Sequence, residues 1–122
     1  MPVASEDPRE LLPLSPPVLN ILLTLGNRCL HGYAVMQELR KGTGGRETLL
    51  PGTLYASIAR MVEQGLVEEA PAPEGTSSGG PRRRYYRCTE FGRRVARAEL
   101  ERLGSLIELG RSTLLLPEEG GS

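Results

Sequence analysis

Seven arginines crowd into one stretch of this chain, at Arg82, Arg83, Arg84, Arg87, Arg93, Arg94 and Arg97, against a single acid, Glu90. The chain as a whole is balanced, with 15 basic and 15 acidic residues. A neutral protein that gathers its positive charge in one place builds an electrostatic footprint for an anion, and the large anion to consider first is nucleic acid. The run opens with a glycine-proline loop and continues as Arg82-Arg83-Arg84-Tyr85-Tyr86-Arg87. Arginine forks suit phosphate oxygens and the guanine edge. Lys41 is the one lysine, and a bias toward arginine is also what GC-rich coding produces, so residue choice alone does not identify the partner.

Other chemistry has little to stand on. Cys29 and Cys88 are far apart and lack metal-ligand spacing, and His31 is the one histidine. No nucleophile–base pair or phosphate loop is visible, and Gly42 to Gly45 reads as a plain glycine-rich turn. The expectation is therefore a non-enzyme with no cofactor and no metal. The first residues carry Glu6, Asp7 and Glu10 without an apolar run of signal-peptide length, and no segment approaches the ~20 apolar residues of a membrane helix. A soluble, cytoplasmic protein is expected.

The elements that must position the arginines follow from period and punctuation. At 122 residues one domain with a small core is expected. Residues 1–13 read as a flexible arm. Ser15-Pro16 signals a helix start, Val18, Leu19, Leu22, Leu23 and Leu25 make it apolar, and Gly26-Asn27 stops it. A second helix runs from about His31 to Lys41, with Tyr33, Val35, Met36 and Leu39 toward the core. A third runs from Pro51 to Gly65. The period then switches to two. Residues Leu66–Ala70 and Arg83–Cys88 read as strands around a polar loop, with Tyr86 and Cys88 on one face and Arg83, Tyr85 and Arg87 on the other. Thr89 caps a last helix that reaches Leu116, and residues 117–122 read as a disordered tail. The fold class expected is mainly α with a small β-hairpin: a winged helix-turn-helix over residues 14–88, then a dimerisation helix over 89–116.

At about 100° per residue, the third helix turns Leu54, Ile58 and Met61 inward. Thr53, Ala56, Arg60 and Glu63 fall on the opposite face, with Ser57 and Gln64 at its edge. Thr53 and Ser57 can donate to phosphate or base, Arg60 can reach either, and Ala56 permits close approach. On the last helix, Ala96, Leu100, Leu103, Ile107, Gly110 and Leu114 alternate steps of four and three, which is coiled-coil spacing. A helix of that length spans about 40 Å, more than so small a domain can cover, so part of the stripe needs another chain. His31 reads as a capping or packing residue, Cys88 as a small buried hydrophobe, and Cys29 as a more exposed thiol with a redox role left open.

His31-Gly32-Tyr33, Pro51-Gly52-Thr53-Leu54-Tyr55, Glu63-Gln64-Gly65-Leu66-Val67 and the arginine-rich Tyr85-Tyr86 strand ending in Thr89 and Gly92 together resemble the PadR family of bacterial transcriptional regulators, over about residues 14 to 95. The resemblance implies a winged-helix domain that binds a pseudo-palindromic DNA operator as a homodimer. It implies a repressor released by a small hydrophobic or phenolic effector. By position it implies Thr53, Tyr55 and Arg60 as recognition-helix contacts, Tyr55 on the DNA backbone, and Arg82, Arg83 and Arg84 as wing contacts. It adds Leu19, Leu22 and Leu23 of the first helix to the dimer stripe. With one short C-terminal helix, the chain looks like the compact subgroup. It departs from the family at Ala56, where proline is common, and at Cys88, where leucine is usual. It has no tryptophan, so a ligand site built on a tryptophan sandwich is not available.

A winged helix that binds protein and not DNA stays as the alternative, because fold does not fix function. Glu63 on the outer face and the balanced charge leave room for it.

Overall fold

A computed structural model describes residues 7–76 and 83–117. Four helices and three short strands run in the order α1 (Pro16–Leu25), β1 (Leu30–His31), α2 (Gly32–Gly42), α3 (Pro51–Glu63), β2 (Val67–Ala70), β3 (Tyr85–Cys88) and α4 (Glu90–Ser112). Pro16 sits in the first turn of α1, where its fixed φ suits the helix and its missing N–H costs nothing. Ser15 holds the cap position by backbone only; its side chain makes no capping bond. The helix ends where Gly26 turns to φ +52°, a region glycine enters without a Cβ penalty.

The sheet has three strands, not the two of a plain hairpin. Its order is β1-β3-β2, all antiparallel, with Leu30 opposite Tyr86 and Val67 opposite Cys88. A two-residue strand carries no readable alternation, so β1 could not be found from sequence. Its pairing ties the start of α2 to the root of the wing. The expected faces of β3 are observed: Tyr86 and Cys88 are buried and Arg87 is exposed, paired to Glu68 at 2.8 Å. Arg83 and Arg84 precede the strand and are not part of it.

The core is one cluster, with Ile21, Leu22 and Leu25 from α1, Val35 and Leu39 from α2, Leu54, Ile58 and Met61 from α3, and Leu66, Val67, Tyr86, Cys88 and Val95 closing it. Tyr33 does not join it. Expected among the core residues of α2, it is 53% exposed. At the foot of α4, the Thr89 hydroxyl accepts from Gly92 N–H at 2.9 Å, as its cap position predicts.

Two expectations about the ends fail. The arm is not loose from residue 7 onward. Asp7 caps a 3-10 turn over Pro8–Leu11, and Leu11, Leu12 and Leu14 pack against the core. Leu14 N–H donates to Glu99 Oε2 at 2.9 Å. The arm's first six residues and the tail from 118 lie outside the described residues. At the other end α4 stops at Ser112, and Leu114 takes φ +67°. The helix therefore spans about 34 Å. Leu114 leaves the stripe, and Leu116 folds back over Gly110.

Among the described residues Glu99 is the one charged residue in the buried set, 1% exposed on the inner face of α4. Arg102 grips it through two contacts, Nε at 2.5 Å and Nη2 at 3.1 Å. These bonds hold its carboxyl below the usual range against the opposing effect of burial. Glu99→Ala leaves Leu14 N–H without an acceptor and frees the 7–14 segment. We expect a loss of about 1–3 kcal/mol in a denaturant titration, with faster amide exchange at Leu14.

Candidate nucleic-acid interface

Pro51 opens α3, and no side chain caps its first turn. Such an end carries unsatisfied N–H groups and partial positive charge, which favour a phosphate. Leu54, Ile58 and Met61 are buried, so the helix is oriented as its period predicts. Thr53, Ala56 and Arg60 are exposed on the outer face, with Ser57 half-buried at its edge. Arg60 forms no ion pair among the described residues. Glu63 shares this face but sits at the far end of the helix.

Tyr55 projects sideways toward α2. Its side chain lies directly against Gly32: a Cβ there would come within 2.7 Å of the ring's Cε1 and of the phenolic oxygen. Only a residue without a side chain leaves room for the phenol end of Tyr55 at the start of α2. The ring is 48% exposed. Beside it, a cleft of about 420 Å³ is lined by His31, Gly32, Tyr33, Tyr55, Arg83, Arg84 and Tyr86. No carboxylate lines it among the described residues. Three tyrosines and two arginines thus border one open hollow, and Tyr55 belongs both to this hollow and to α3. Tyr33 was not expected here. Its position was concealed because residue 33 follows a glycine that α3, not the core, packs upon.

The arginine run divides in space. Arg83 and Arg84 border the cleft, while Arg82 lies outside the described residues. Arg87 is spent on Glu68 and Arg93 on Glu90, the latter at 3.2 Å. Arg93 and Arg97 border a different groove, between α1 and α4. The footprint that looked continuous in sequence is two surfaces, and only the first adjoins α3.

His31 stands at the root of the wing. Its Nδ1 accepts from Ala34 N–H at 3.1 Å, capping α2. Tyr85 meets its ring edge-on at 5.4 Å between centroids. Arg83 Nη1 lies 2.8 Å from Nε2 and 3.5 Å from Nδ1. Burial, and then the Arg83 charge, hold the ring's pKa below the ordinary imidazole value. The unfolded chain therefore takes up this proton more readily. The His31 contribution to stability is present above about pH 6.5 and is lost as pH falls toward the folded-state value. Glu99, with its carboxyl pKa lowered, acts in the same direction at lower pH. Melting scans should show a fall in Tm on acidification that begins in the imidazole range, and His31→Asn should remove that first part.

The expected dimer residues are unevenly placed. Leu100 and Ile107 are exposed, Ala96 and Leu103 partly covered, and Leu23 of α1 is exposed across the groove from Leu100. Leu19 is half-buried, but Leu22 is 1% exposed and committed to its own core. Gly110 is covered by Leu116 of the same chain. Cys88 is buried, which pushes its thiol pKa up, and Cys29 is half-buried with its Sγ 3.7 Å from the Pro71 carbonyl. Among the described residues no helix is long and apolar enough to cross a membrane. Nor does any group of three or more His, Cys, Asp or Glu among them sit so as to hold a metal ion.

The chain is similar in sequence and fold to known proteins. The sequence model of the family described as "Transcriptional regulator PadR-like family" matches residues 21–98. A PadR family transcription regulator from Clostridium difficile superposes with a TM-score of 0.67 at 24% identity, over 82% of this chain and 99% of that one. A PadR-like transcription factor from Bacteroides fragilis gives 0.59 at 27% identity, over 79% and 84%. Bacillus subtilis PadR, solved in complex with operator DNA, gives 0.60 at 18% identity, over 72% and 48%. An uncharacterised protein of Lysinibacillus sphaericus is 33% identical over 63 residues, and the chain spans about half the length of that relative.

Proposed function

We propose that this chain, which belongs to the PadR-like family of transcriptional regulators, is a homodimeric, sequence-specific DNA-binding repressor acting in the cytoplasm. The observation that carries the reading is the continuity between the outer face of α3 and the cleft beside it. Thr53, Ala56, Ser57 and Arg60 form a groove-facing strip, and Tyr55, Tyr33, Arg83 and Arg84 extend it to the root of the wing. We assign base reading to Thr53 and Arg60 and phosphate grip to Tyr55, Arg83 and Arg84, with Arg82 beside them by its place in sequence. Glu63, at the helix's negative end, is farthest from the terminus that favours phosphate.

The partner that sets the two α3 helices apart is a second copy of the chain. The exposed Leu100, Leu106 and Ile107, with the partly covered Leu103 between them and Leu23 continuing the row, form the surface it would cover. The groove between α1 and α4, about 250 Å³ and bordered by Leu22, Leu23, Ala96 and Leu100, is where we place release by a small hydrophobic effector. An occupant there would shift α4 and change the spacing of the recognition helices.

Selection of bound duplexes from a random pool tests the reading. The expected product is an inverted repeat with half-sites about one helical turn, ~34 Å, apart. Exposed Val62 and Glu63 on α3 favour the alternative of a protein-binding module; recovery of no common sequence, with partner binding insensitive to salt, would establish it instead.

Gly32→Ala separates the interface from the fold. The added methyl displaces the half-exposed Tyr55 ring, which has room to swing, so the stability cost should stay below about 1 kcal/mol. Loss of the ring from its seat should weaken operator binding about tenfold, as one charge-flanked phosphate contact does. Melting and filter-binding measurements on the same preparation would resolve the two effects.

A further inference from the structure

Ala34 N–H can donate only to a bare nitrogen, so His31 Nδ1 carries its lone pair and the neutral ring keeps its proton on Nε2. Arg83 Nη1 is within 3.5 Å of both ring nitrogens. Such a position puts the guanidinium over the ring beside Nε2, not end-on to one lone pair. A cation over a neutral aromatic face is a weak, favourable arrangement, and over an imidazolium it is repulsive. The ring is also half-buried and already committed to capping α2. The ionisable groups bordering the same cleft are Tyr33 from α2, Tyr55 from α3, and Arg83, Arg84 and Tyr86 from β3 and its approach, with Tyr85 edge-on to the ring. None of these is a carboxylate, so no carboxylate among the described residues lining the cleft opposes the Arg83 charge.

We propose that His31 is the proton-linked seat of Arg83: the guanidinium rests on the neutral imidazole in the free protein, and when it moves to a DNA phosphate the ring takes up a proton. The inference rests on the DNA-binding reading above. A phosphate is the stronger partner for a guanidinium than a neutral ring. Once Arg83 is neutralised there, the charge that opposed imidazolium is gone, and the phosphate itself favours it. The proton comes from solvent and lands on Nδ1, at the expense of the Ala34 cap. Binding thus takes up protons, and by linkage affinity rises as pH falls through the imidazole range. Each unit by which binding raises the ring's midpoint corresponds to about tenfold in affinity below both midpoints.

His31 is the one histidine of the chain, so its ring resonance reports the midpoint directly. The experiment follows that resonance by NMR between about pH 5 and about pH 8 in the free protein, in Arg83→Gln, and in the protein saturated with a mixed-sequence DNA duplex at low salt. It also measures duplex affinity across the same range for the wild type and His31→Asn. Asparagine keeps a good N-cap acceptor but does not titrate. The expected results are a midpoint that rises in Arg83→Gln and in the complex, and a wild-type affinity that gains about three- to tenfold on acidification while His31→Asn stays nearly flat. A midpoint unmoved by both changes, or parallel pH profiles for the two proteins, overturns the proposal. Failure of the duplex to bind at any pH overturns the DNA reading and the linkage with it. In that case a midpoint shift in Arg83→Gln alone would still establish the seat in the free protein.

Discussion

Gly92→Ala should cost this protein about 3 kcal/mol or more, the largest effect we expect from any single methyl group. Gly92 lies in the first turn of α4, facing the junction between α3 and β2. A Cβ there would overlap the Leu66 carbonyl oxygen and lie 2.9 Å from its carbon and 3.2 Å from its Cα. These are backbone atoms and cannot swing aside. The same carbonyl accepts from Thr89 N–H at 3.1 Å, and the Thr89 hydroxyl contacts it at 3.2 Å. Room for the methyl requires lifting the base of α4 from the sheet, with Val95 and Glu99 drawn out after it. In a domain of this size about 1 kcal/mol corresponds to about 4 °C in Tm, so a drop of about 10 °C or more is expected. Gly104→Ala is the control. Nothing lies within 4 Å of its added methyl, and alanine in a helix interior is favoured over glycine by about 0.5–1 kcal/mol. A Gly92→Ala protein that melts with the wild type would mean that α4 docks differently from the arrangement described.

The second large effect separates reading from gripping. Arg60→Ala should reduce affinity for the selected operator by about 1–3 kcal/mol and relax the preference at one base position. Binding to unrelated duplexes should change little. The double change Arg83→Ala with Arg84→Ala should weaken binding to every sequence and lower the salt dependence by about one to two counterions. Titrations at several salt concentrations on the operator and on a scrambled duplex give both quantities. If the double variant keeps its salt slope, the wing root does not touch phosphate. If Arg60→Ala weakens all duplexes equally, Arg60 belongs with the phosphate contacts.

Much of this was legible in one dimension because the physics is local. Prolines at helix starts, glycines at helix ends and a shift from a period of 3.6 to a period of 2 are properties of neighbouring residues, and they located α1 to α3, β2, β3 and the start of α4. The same periodicity assigned Leu54, Ile58 and Met61 inward and Thr53, Ala56 and Arg60 outward on α3. What failed was local signal without local cause. The stripe on α4 was extended to Leu114 because apolar spacing continues there, yet the helix has already ended and Leu116 returns onto Gly110. The family resemblance put Leu22 in the dimer surface, but it is buried among the residues of its own core. Tyr33 was assigned to the core by residue type, but its neighbour Gly32 is the contact that Tyr55 takes.

By itself the sequence determined the winged-helix plan, the polar face of α3, the buried face of β3 and the family to which the chain belongs. Tertiary structure alone decided which arginines are free to act. Ion pairs tie Arg87 to Glu68 and Arg93 to Glu90, and the turn into α4 carries Arg97 to another surface. It also decided that Glu99 holds Leu14 from 85 positions away and that Arg83 meets His31 across 52. Period and punctuation report only what a residue does with its near neighbours. These pairings instead depend on three short strands and a capped helix start coming together, and no local pattern records them.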